Sequence, residues 1–86
     1  MAESMTLEEL AKLRTEARAA HFAAREARAA YTVEMTKRLA GGGQLDPDFV
    51  AQGEALQAAV NEAQVKFKAL DKQHLAAFKA ATAPAP

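Results

Sequence analysis

Apolar positions in the second half of the chain step by four and three without a break. Phe49, Gly53, Leu56, Val60, Ala63, Phe67, Leu70, His74, Ala77 and Ala81 follow one another at this spacing, and only His74 among them is polar. A repeat of 3.5 residues keeps one stripe of a helix turned toward a neighbouring helix, so the spacing predicts coiled-coil packing over 49–81. The first half supplies the neighbour. Between Leu7 and Ala40 there is no Pro or Gly, and Ala, Arg, Glu and Lys, all good helix formers, dominate. Thr6 with Glu9 three residues on reads as a capping box, and Met5 and Leu10 fall where a hydrophobic staple would close over it. Glu8 and Glu9 suit the positive end of the helix dipole. Lys37 and Arg38 occupy the last turn, and Gly41 follows as the residue expected to take a positive φ and end the helix.

The predicted architecture is an all-α, antiparallel two-helix coiled-coil hairpin. Residues 1–5 are expected to fray, a helix to run over 6–40, a turn over 41–46 and a second helix over 47–81. Asp46 is a good N-cap, and Pro47 at the first helical position loses no hydrogen bond. Residues 82–86 form an Ala/Pro segment expected to be extended and disordered. Helices of like length joined by a short loop fold back on each other, and facing positions then keep a constant total of residue numbers. Leu10 with Ala77, Leu13 with His74, Ala17 with Leu70, Ala20 with Phe67, Ala24 with Ala63, Ala27 with Val60 and Tyr31 with Leu56 all total 87. Small residues face large ones through much of this seam, so the backbones can approach closely and still fill the space between. Toward the loop the register falters, with Glu34 facing Gly53 and Arg38 facing Phe49; Met35 and Leu39 are expected to rotate in as cover.

Composition narrows the class further. Half of the 86 residues are apolar, but alanine dominates that half and isoleucine is absent, so a layered core is not expected. Each helix would be about 52 Å long at 1.5 Å per residue. One alanine-rich seam is a thin core for so long an object, and the hairpin is expected to associate, as a homodimeric four-helix bundle or docked on a larger protein. The chain has no cysteine, which removes disulfides, thiolate zinc sites and cysteine nucleophiles. Met1-Ala2-Glu3-Ser4 has neither a basic start nor an apolar run, and no stretch approaches a membrane span, so a cytoplasmic location is expected.

Candidate chemistry is sparse. His21 and His74 are the two histidines; with Asp71 they suggest a three-ligand metal set, but the register puts them about two turns apart. The one serine, Ser4, is out of reach of either histidine, and Glu8, Glu16, Glu26 and Glu34 fall on the solvent side of the first helix. Gly41-Gly42-Gly43 lacks the Gly-Lys-Ser/Thr ending of a phosphate loop and follows a helix. The expectation is therefore no enzyme, no metal, no cofactor, no membrane and no small-molecule substrate.

Two surfaces remain. Ala11, Phe22, Ala29 and Val33 line a narrow stripe of the first helix outside the seam, a second seam for a partner helix. Phe22→Glu is expected to abolish association and leave helicity intact. Arg14, Arg18, Arg25 and Arg28 form a belt flanked by lysines of the second helix, among them Lys72. The net charge is zero, yet residues 12–28 and 64–81 together carry nine basic and three acidic side chains. Such a belt would suit an acidic partner or a nucleic-acid backbone, although no nucleic-acid reading motif accompanies it. The expected function is a helical-hairpin interaction or assembly module, the alternative a small nucleic-acid-binding bundle.

Overall fold

The structure, a computed structural model, describes residues 5–83. Helix α1 spans Leu7–Ala40 and helix α2 spans Pro47–Thr82, and the two pack against each other. Thr6 stands outside α1 as its N-cap, with its hydroxyl accepting from the Glu9 N–H at 3.1 Å. The returning half of the expected capping box, from the Thr6 N–H to Glu9, is absent among the described residues. Asp46 caps α2 by accepting from the Phe49 N–H at 2.8 Å, with Pro47 at the first position. Thr82, expected in the tail, is the last residue of α2, and its hydroxyl donates to the Phe78 carbonyl at 2.9 Å. The expectations for residues 1–4 and 84–86 lie outside the described residues.

The glycine that ends α1 is one position later than expected. Gly41 keeps φ −78°, and Gly42 takes the positive value, φ 78°. The Gly42 N–H donates to Leu39 O and the Gly43 N–H to Arg38 O, both at 3.1 Å. That pair of bonds is a Schellman motif with Gly42 as the left-handed residue, and it satisfies two carbonyls of the last turn.

The two helices make a rod of 69 × 26 × 16 Å with a radius of gyration of 19.2 Å, against about 12 Å for a compact chain of this length. Little is enclosed. Leu10, Ala17 and Phe49 are the buried apolar residues among those described, and no side chain is fully buried. On α2 the inward positions are the expected ones: Gly53, Leu56, Val60, Ala63, Phe67, Leu70, His74 and Ala77 are all half-buried.

On α1 the contact is rotated. The column Leu10, Ala17, Ala24 and Tyr31 faces inward, but its partner column is Arg14, His21 and Met35, all half-buried. Leu13, Ala20 and Ala27, expected opposite His74, Phe67 and Val60, are exposed instead. The rotation has a visible cause. Arg14 forms an ion pair with Asp71 and places its guanidinium 5.6 Å from the centre of the Phe67 ring. His21 stacks on the same ring at 6.4 Å. These long or flat side chains cover the phenylalanine from the flank, where alanine would leave a gap.

Toward the loop, Tyr31 closes the seam. Its ring stacks on Phe49 at 4.5 Å, its hydroxyl donates to the Phe49 carbonyl at 2.6 Å, and it lies directly on Gly53. A methyl at position 53 would overlap the Tyr31 ring, so glycine is needed for the approach. The Arg38 guanidinium lies 3.9 Å from the centre of the Phe49 ring and reaches Asp46 at 3.9 Å. Met35 is half-buried, whereas Leu39 stays 52% exposed and does not serve as cover.

Candidate interaction surfaces

Because the inward columns repeat every seven residues, so do their neighbours, and the hairpin has two distinct long faces. One is marked by Leu13, Ala20, Ala27 and Glu34 on α1 and by Gln52, Ala59 and Lys66 on α2, each series at intervals of seven. An open groove of about 460 Å³ runs there, floored by Leu13, Ala17, Ala20, Ala59 and Ala63 and edged by Glu16, Glu62 and Lys66. A second depression of about 530 Å³ continues toward the loop over Ala27, Ala30, Tyr31 and Leu56, edged by Glu34, Arg38 and Gln52. Alanine makes the groove: its side chain ends at Cβ, so two helices in contact leave a furrow wherever both flanks are alanine.

The other face follows Arg14, His21 and Asp71. Beyond the ion pair it carries Arg18 and Arg25, seven residues apart and exposed, with Lys72 on α2. None of these three has an ion-pair or hydrogen-bond partner among the described residues. Arg28 donates to the Thr32 hydroxyl at 3.1 Å. The Ala11, Phe22, Ala29 and Val33 stripe lies further round on the outside of α1. Phe22 is 62% and Val33 55% exposed, Ala29 is exposed and Ala11 half-buried. Val65 and Leu75, which the seam does not claim, are exposed too, as are Val50 and Phe78.

The histidines do not converge. His21 is on the Phe67 ring, and His74 is two turns of α2, about 10 Å, further along. Asp71, the third member of the three-ligand set, is taken by Arg14. Among the described residues no group of three or more His, Cys, Asp or Glu could hold a metal ion. Nor is any helix among them long and apolar enough to cross a membrane. What this geometry offers is extended surface: an apolar furrow with charged edges, and a basic face with an outward aromatic. The groove flank could have been found from sequence by writing α1 in columns of seven. Two columns adjoin Leu10, Ala17, Ala24 and Tyr31, and only one carries the side chains able to reach Phe67 and Asp71.

No protein-family model matches the chain, and no curated protein and no solved structure matches it either.

Proposed function

We propose that this chain is a non-catalytic assembly module, a cytoplasmic helical hairpin that completes its core against another protein surface, with a four-helix bundle as the form it takes. The observation that carries this reading is the poverty of the core: three buried apolar residues serve two helices of 34 and 36 residues. Helices of this kind draw most of their stability from packing an apolar face, and here most of that face is only half-buried. The accessible surface is 6776 Å², against about 4,900 Å² for a compact monomer of this mass. The excess exceeds the roughly 800 Å² that each partner gives up in an interface of standard size.

The test is thermal unfolding followed by circular dichroism over a hundredfold range of concentration, with the mass read by light scattering at low and high salt. Mass action raises the midpoint of an associating hairpin with concentration. A monomer melting cooperatively at one temperature throughout would overturn the reading. The second reading, nucleic-acid binding, is favoured by Arg18, Arg25 and Lys72, which have no ion-pair partner among the described residues. It requires affinity for a short labelled duplex or single strand that falls steeply with salt as counterions are released.

A further inference from the structure

We infer that the occupant of the groove is a second copy of this chain, laid antiparallel about a twofold axis that passes at the level of Ala27 and Ala59. This inference rests on the assembly reading and names its partner, face and register.

The register follows from the contacts within the hairpin. Arg14 pairs with Asp71 and His21 stacks on Phe67, so residues whose numbers total about 86 stand level on the rod. Ala27 is then level with Ala59, at the centre of the alanine-lined stretch. A twofold axis there carries each level to its mirror on the other side. Glu34 is seven residues beyond Ala27 and meets the level of Ala20, where Lys66 stands. Arg38, eleven beyond, meets the level of Glu16. Two opposite-charge pairs therefore form, Glu34 with the partner's Lys66 and Glu16 with the partner's Arg38, and the symmetry makes each of them twice. Among the described residues of one chain Lys66 has no ion pair, and Arg38 holds Glu34 at 3.3 Å, near enough to be shared. Glu62 stays at the solvent edge, level with the partner's Ala30. Between the charged pairs the floor is mostly alanine, with Tyr31 and Leu56 its larger side chains, so the helices can close to the short separations that alanine permits.

The register also explains the displaced seam. In a four-helix bundle each helix has two neighbours, and its apolar stripe points between them. On α1 that stripe is centred on Leu10, Ala17, Ala24 and Tyr31, with Arg14 and His21 turned to α2 and Leu13, Ala20 and Ala27 turned to the groove. A second copy in the groove gives the uncovered flank its neighbour. The opposite face is a poor self-interface, since Arg18, Arg25 and Lys72 would be brought against their own kind.

Single cysteines test this cleanly, because the chain has none. Under mild oxidation Ala27→Cys should cross-link to itself in most of the protein. Ala20→Cys and Glu34→Cys should link when mixed, and Ala20→Cys alone should not. Two copies of position 20 would lie about 21 Å apart at 1.5 Å per residue, well beyond the roughly 7 Å that a disulfide spans. Glu34→Lys should weaken the dimer at least tenfold, and Glu34→Lys with Lys66→Glu should restore it. Helicity by circular dichroism excludes simple unfolding. Self-linking of Ala20→Cys would overturn the antiparallel register. A wild-type dimer that links through Phe22→Cys and not Ala27→Cys would overturn the groove while leaving the assembly reading intact. A wild-type monomer at 100-fold the concentration of the cross-linking experiment would overturn the second copy as occupant.

Discussion

The two faces of this hairpin are built from the same heptad scaffold and end in opposite conditions. On one, Leu13, Ala20, Ala27, Ala59 and Ala63 leave a furrow, and charges of both signs stand along it. On the other, Arg14 and His21 close over Phe67, Asp71 takes Arg14, and the remaining charges are basic. Side-chain length decides the difference. Long side chains at one flanking column seal the seam from within the chain, and alanines at the other leave it open. A face that mixes its signs can meet a copy of itself, whereas a face of one sign needs an acidic counterpart.

The largest expected effect comes from the aromatic cluster where both faces end. Phe49 is 7% exposed, stacked by Tyr31 and covered by Arg38. Phe49→Ala should cost ~3 kcal/mol or more of unfolding free energy, as for other buried phenylalanines. Hydrogen exchange should show protection lost first in residues near the loop. Next comes a direct contrast of faces. Ala27→Arg places a long cation in the furrow and should raise the dimer dissociation constant about 100-fold, ~2.7 kcal/mol. Phe22→Arg, on the outer stripe that the sequence pattern alone marks as a partner seam, should change it no more than about threefold, against the loss of association that pattern predicts for a charge there. Sedimentation equilibrium reads both, and equal effects would erase the distinction between the faces.

Gly53→Ala is expected to be smaller, because two terms oppose. Alanine gains up to ~1 kcal/mol of helix propensity over glycine, but its methyl overlaps the Tyr31 ring. Displacing that ring also breaks its hydrogen bond to the Phe49 carbonyl, so a net loss of ~1–2 kcal/mol is expected, the range of overpacked sites. In the Tyr31→Ala background the same change should become stabilising. A double-mutant cycle by chemical denaturation gives the coupling directly.

Much of this fold is legible in the residues, and the reasons are local. Thr6, Asp46 and Pro47 act on amides within three positions, so the helix starts can be read from short words in the sequence. The inward stripe of α2 is likewise a property of one helix. The side of α1 that meets it is not, because the columns of Leu13 and Arg14 both adjoin the central one. Apolarity favours the first, but the second owns the reach to Asp71 and Phe67. A periodic pattern shows which column of a helix is central, but not which of its two flanks the neighbouring helix will take. The end of α1 was ambiguous for a different reason: three successive glycines are equally able to adopt φ 78°, and the Schellman bonds to Leu39 and Arg38 select the middle one.

The smallest effect expected is at the ion pair of the sealed face. The side chains of Arg14 and Asp71 remain 34% and 48% exposed, so water screens much of their attraction. Asp71→Asn should therefore cost less than ~1 kcal/mol, as exposed pairs do. The loss should shrink further in high salt, where the wild-type pair is itself weakened. Arg14 would still cover the Phe67 ring, since that contact does not need the carboxylate. Chemical denaturation at two salt concentrations measures both quantities. A loss as large as that of Phe49→Ala, insensitive to salt, would mean that the sealed face is held by its charges. The expected outcome assigns the sealing to the Arg14 and His21 side chains lying over Phe67, and not to the ion pair with Asp71.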